Sequence, residues 1–153
     1  MRTITRVILT IGSSIALLAA TALSVSADDK DYIKYRQSVM KSVGGHMGGA
    51  VAIVKGQVPY ESDLVAHAAG LNGMAQILPN AFKQKTSGGE TQAKPNIWED
   101  PDEFMQKIKN LQAATAEFLA AAQSGGKAAA GGKLGAVGDA CKGCHETFRE
   151  KKS

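Results

Sequence analysis

Two cysteines and a histidine stand together near the end of the chain, in the run Cys141-Lys142-Gly143-Cys144-His145. Three kinds of chemistry use such residues. Thiols two residues apart form redox-active disulfides, and thiolates with an imidazole make part of a zinc site. A C-x-x-C-H run joins both thiols to the vinyl groups of a haem and leaves the neighbouring imidazole for the iron. A redox dithiol normally opens a helix, where exposed amides and the helix dipole lower a thiol pKa; this pair lies near the end of a helical pattern. Structural zinc takes four ligands, and the chain adds only His46 and His67 to this cluster. Those two lie on the flanks of their own helical patterns, where a solvated or partly buried histidine is the ordinary reading. Haem attachment accounts for the whole run: one haem c, tethered through Cys141 and Cys144, with His145 as the proximal ligand to iron.

The elements that must position this cluster are helical. Breakers gather around Pro59, from Thr86 to Asn96, and from Ser124 to Lys127. Between them apolar residues recur at alternating steps of four and three, a helix period. The first stripe is Tyr32, Arg36, Val39, Val43, Met47, Ala50 and Val54, with Met40 beside it; the second is Leu64, Ala68, Leu71, Ala75, Leu78 and Phe82. The third is Phe104, Ile108, Leu111, Thr115, Phe118 and Ala122, and the fourth is Ala130, Leu134, Val137, Cys141, Cys144 and Phe148. Both cysteines therefore fall on the inward face of the fourth helix, and His145 projects from nearly the same side as Cys141. Asp28 or Asp29 suits the cap of the first helix, and Asp100 before Pro101 starts the third. Helices of this length joined by short connections predict an all-α, antiparallel up-down-up-down four-helix bundle. Glycines crowd the first helix (Gly44, Gly45, Gly48, Gly49) and the fourth (Gly131, Gly132, Gly135, Gly138), at about 1 kcal/mol each relative to alanine. They mark places where something bulky fits or a backbone approaches closely, or they are simply tolerated. The fourth helix is expected to fray before Leu134.

The first 27 residues read as a secretory leader. Arg2 and Arg6 precede an apolar run from Val7 to Val25 that ends in small residues at Ala27. Removal leaves residues 28–153 as a single domain, exported and free of a membrane anchor. The formal charge of +4 falls by two when both arginines leave, which argues against nucleic acid as a partner. The basic tail from Arg149 reads as a solvated helix end.

Taken with the terminal run, the stretches "YRQSVM", "VKGQVPY", "LPNAF" and "PNIWED" resemble the cytochromes c′, the class II c-type cytochromes, across essentially all of residues 28–153. The resemblance implies that Met40 sits over the distal face of the haem and that Arg36, one turn earlier, lies near a propionate. It also implies that Phe82 packs beside the porphyrin and that Arg149 stands on the proximal side. Trp98 reads as packing. The function implied is that of a periplasmic haem protein in electron transfer, high-spin and five-coordinate, binding a small diatomic gas such as NO or CO at an open distal face. The alternatives are a nitric oxide sink or gas sensor with little electron-transfer role, and a low-spin carrier with Met40 as sixth ligand. No paired carboxylates and no nucleophile with a base suggest an enzyme, and a peroxidase would want a polar distal group where Met40 is apolar. Unidentified redox proteins and a second copy of the chain are the expected partners.

Overall fold

The computed structural model describes residues 28–86 and 89–151; the leader and its cleavage point lie outside the described residues. Helix α1 spans Asp29–Val54, α2 spans Leu64–Ala81 after a 3-10 turn at Glu61–Asp63, a short α3 covers Asn96–Glu99, and α4 runs Pro101–Phe148. Asp28 caps α1 by accepting from the Asp31 amide at 3.0 Å, and Asp100 caps α4 by accepting from the Glu103 amide. At the far end of α1, Gly56 takes φ 69° and lets the chain leave the helix.

Helix α4 is two antiparallel arms, residues 101–125 and 127–148. Gly126, at φ 59° and ψ −147°, breaks it, a conformation open only to glycine. Lys133 Nζ reaches Glu117 Oε2 at 2.9 Å, whereas sixteen residues of straight helix would part them by about 24 Å. The rings of Phe104 and Phe148 meet edge to face at 5.1 Å. The turn expected over 124–127 is thus one residue, and the fold is the antiparallel four-helix bundle. The second arm does not fray before Leu134: it is helical back to residue 127, because Ala130 is fully buried in the core and Lys127 pairs with Glu61.

The third stripe is buried as read, from Phe104 to Ala122. In α1 the buried face takes Ile33 and Ile53 in place of Tyr32 and Val54, which are partly covered. The α2–α4 crossover lies over Ile33, close enough that a Cβ at Gly89 would stand 2.9 Å from its Cδ1. In α2, Ala81 is buried and Phe82 only partly so. Pro79 sits inside α2 and leaves the Ala75 carbonyl without its helical donor. Gln112 Nε2 donates to that carbonyl at 3.2 Å, so the proline's loss is offset from α4. The buried Thr115 hydroxyl donates to the Leu111 carbonyl at 2.9 Å.

Two contacts set how α1 lies beside the second arm of α4. A Cβ at Gly131 would stand 3.4 Å from Val54 Cγ1, and one at Gly138 would stand 3.9 Å from Met47 Cε. From the first pair to the second, each helix moves seven residues, in opposite directions. Seven more bring Met40 level with His145, and four beyond that bring Arg36 level with Arg149. Among the described residues, no helix is long and apolar enough to cross a membrane.

Candidate functional site

Cys141, Cys144 and His145 occupy successive turns of the second arm, all partly buried, with both sulfurs packed against the hydrophobic core. No disulfide joins the two cysteines. Burial pushes the Cys141 thiol up, and burial together with the neighbouring Cys141 pushes Cys144 up to about 11, against a smaller opposing pull from Lys107. A redox dithiol needs a lowered thiol pKa, and both thiols here are shifted the other way. Burial, and then the charge of Arg149, hold the His145 pKa below the ordinary imidazole value. Its ring is therefore neutral at pH 7, with a lone pair available to a metal.

Opposite this cluster, Arg36 is almost wholly buried on α1, with 2% of its surface exposed. Its guanidinium lies 5.4 Å from the centre of the Phe82 ring and 5.3 Å from that of Trp98, within cation–π range of both. Nη2 donates to the hydroxyls of Thr86 at 3.1 Å and Thr91 at 3.3 Å, while Nη1 is buried with no partner. Such a group costs free energy unless an anion or acceptor meets it, and burial accordingly pulls the Arg36 pKa down. Met40, one turn further along α1, is partly buried against the core. Phe82 stacks at 5.0 Å on Phe104, and the Phe82 carbonyl accepts the Trp98 indole N–H at 2.8 Å.

The structure thus brings Arg36, Phe82 and Trp98 together. Arg149 turns to the crossover. It is exposed, and its Nε and Nη2 both donate to Gln92 Oε1, at 3.0 and 2.7 Å. A surface recess of about 580 Å³ beside His145 is bordered by Arg149 and Lys142 and touches neither cysteine. The sequence reading missed Thr86, Thr91 and Gln92, which belong to the crossover between α2 and α4. That crossover straps the site end of the bundle: Gln37 Nε2 donates to the Glu90 carbonyl, the Lys94 amide to Phe148, and the Glu150 amide to Gln92. No periodic signal marks such residues, and only their hydroxyl and amide types hinted at use.

The profile of the family described as "Cytochrome C'" matches residues 31–149. The chain belongs to the cytochrome c′ family. It is 41% identical over 126 residues to the cytochrome c′ of Pararhodospirillum photometricum, which covers 81% of this chain and 100% of that one. It is 34% identical to the cytochrome c′ of Rhodospirillum rubrum, covering 90% of this chain and 94% of the relative. Among solved structures, a nitric oxide complex of a mutant cytochrome c prime from Alcaligenes xylosoxidans superposes with a TM-score of 0.75, at 35% identity, over 84% of this chain and 100% of that one. Cytochromes c′ carry covalently attached haem c, and so does this chain. Its residues fit that group: two cysteines and a neutral imidazole stand on adjacent turns of one arm, and on α1 Arg36 keeps one buried nitrogen without an acceptor.

Proposed function

We propose that this cytochrome c′ family protein is a periplasmic electron-transfer haem protein with an open distal face that admits NO or CO. In this reading Cys141 and Cys144 hold the haem through thioethers and His145 ligates the iron. Haem c, when bound, would supply a redox-active iron able to take a small ligand. What supports the reading is the placing of Cys141, Cys144 and His145 on one arm against the core, with the register of the Val54–Gly131 and Met47–Gly138 contacts carrying Met40 towards His145. Met40 then covers the distal side with a flexible apolar chain, which excludes water and yields to a small uncharged gas. Arg36 meets a propionate with its unpaired Nη1, and Phe82 and Trp98 flank that guanidinium. Arg149 acts through the crossover, holding Gln92 against the end of the second arm, and adds positive charge near His145. The nitric oxide complex of the relative from Alcaligenes xylosoxidans supports gas binding. The role proposed is not enzymatic.

Gly44, Gly45 and Gly48 face open space on α1, and a Cβ there would meet nothing within 4 Å. That face suits close approach of a second copy, so the assembled state proposed is a homodimer. Sedimentation showing only monomer at high micromolar concentration removes it.

The electronic spectra test the site. A denatured sample matured with its haem retains the colour on the polypeptide, and Cys141→Ala with Cys144→Ala loses it. The native protein shows a high-spin haem in both oxidation states and takes up carbon monoxide. A low-spin haem that Met40→Ala converts to high spin overturns the open-face reading and makes the protein a carrier with Met40 as sixth ligand. Redox titration and partner reduction kinetics, compared with nitric oxide affinity, separate a carrier from a sink.

A further inference from the structure

The two histidines outside the haem site meet each other. His46 on α1 and His67 on α2 place their Nδ1 atoms 3.4 Å apart, with ring centres at 5.5 Å and planes at 70°. Each ring is seated on a glycine of the opposite helix: a Cβ at Gly49 would overlap the His67 ring, and one at Gly70 would overlap the His46 ring. The arrangement is reciprocal. His46 precedes Gly49 by three residues and His67 precedes Gly70 by three, so each helix offers the other a ring and, one turn on, a seat for the partner ring. Both rings are half-buried, held against backbone yet in reach of solvent.

Packing alone asks for two rings on two glycines. It does not ask that the same nitrogen of both rings converge. At 3.4 Å the two Nδ1 atoms make a long hydrogen bond. That separation also matches the edge of a zinc tetrahedron, since two nitrogens each about 2.0–2.1 Å from the metal stand about 3.3–3.4 Å apart. Square-planar copper would draw the pair closer. The geometry points to a zinc site at the α1–α2 face, with Nδ1 of His46 and Nδ1 of His67 as its protein donors. No group of three or more His, Cys, Asp or Glu side chains that could hold a metal forms among the described residues. A zinc held here would take water at its remaining corners and would be open to exchange. Zinc binding would require any proton between the two Nδ1 atoms to move to Nε2 of its own ring, so that both Nδ1 lone pairs face the metal.

The test uses the haem-loaded full chain, in which Cys141, Cys144 and His145 are already engaged, titrated with zinc chloride by calorimetry and melted with and without zinc. One zinc per chain is expected, with a rise in melting temperature. His46→Phe fills the Gly70 seat without a donor and should weaken zinc binding at least as much as loss of a second-shell partner does, about 10–100-fold. It should abolish the thermal shift while leaving the haem spectrum unchanged. Should His46→Phe fail to fold, His67→Phe carries the same comparison. No zinc uptake by the wild type, or equal affinity in a folded phenylalanine variant, overturns the site and leaves the pair as a packing device.

Discussion

Replacing Arg36 by methionine separates a propionate anchor from a merely structural arginine. Methionine keeps most of the volume between Phe82 and Trp98 but removes the charge, the bonds to Thr86 and Thr91, and the unpaired Nη1. If Nη1 faces a haem propionate, the variant leaves that carboxylate buried without its cation, which costs about 3–5 kcal/mol when one partner of a buried pair is removed. With a urea dependence of about 2 kcal/mol per molar, the unfolding midpoint should fall by roughly 1.5–2.5 M. The diagnostic is pH. A carboxylate paired with Arg36 has its folded pKa depressed, so its contribution is present above the unfolded carboxylate value of about 4 and lost as pH falls through the folded value. Wild type and Arg36→Met should therefore differ most near pH 7 and converge in acid, followed by urea unfolding with the haem covalently retained. A difference that stays constant from pH 7 to pH 3 would show that only the threonine bonds and ring contacts were lost, and would refute the anchor. Arg36→Lys, which keeps the charge but not the two-sided reach, should recover part of the loss at pH 7.

Three further outcomes follow from the packing and the thiols. Gln112→Ala should cost about 1–2 kcal/mol, because it leaves the Ala75 carbonyl without a donor; the cost should shrink in a Pro79→Ala background, where the helix supplies one, and a double-mutant cycle by chemical denaturation reads the coupling. Gly49→Ala should destabilise by about 1–3 kcal/mol by forcing the His67 ring from its seat, whereas Gly132→Ala, with nothing within 4 Å of the added carbon, should raise the melting temperature by the equivalent of about 0.5–1 kcal/mol. In polypeptide made without haem attachment, the thiols should react slowly with a disulfide reagent at pH 8 and faster towards pH 11, since burial and mutual proximity favour the protonated form of Cys144; fast reaction at pH 8 would contradict the burial described for them.

The haem run, most of the four stripes, and a cap at Asp28 or Asp29 and at Asp100 were legible in the sequence because each is local. Spacing within a helix fixes which side chains share a face, so Cys141, Cys144 and His145 declare their common side without any knowledge of the rest of the chain. The same locality explains why Thr115 read as core: its hydroxyl is satisfied by its own helix at Leu111. What bonds across elements was not legible. Gln112 repairing Pro79, Thr86 and Thr91 holding Arg36, and Arg149 turning to Gln92 all join residues far apart in sequence, through a crossover that has no period. The glycines divided along the same line. Gly126 is required by its own backbone angles, and Gly49 and Gly70 are required only by a ring on the neighbouring helix, while Gly132 and Gly135 meet nothing. His46 and His67, unremarkable on their separate helices, became a pair only when α1 and α2 packed, because the distance between two side chains on different helices is set by interhelical register and not by anything either helix encodes alone.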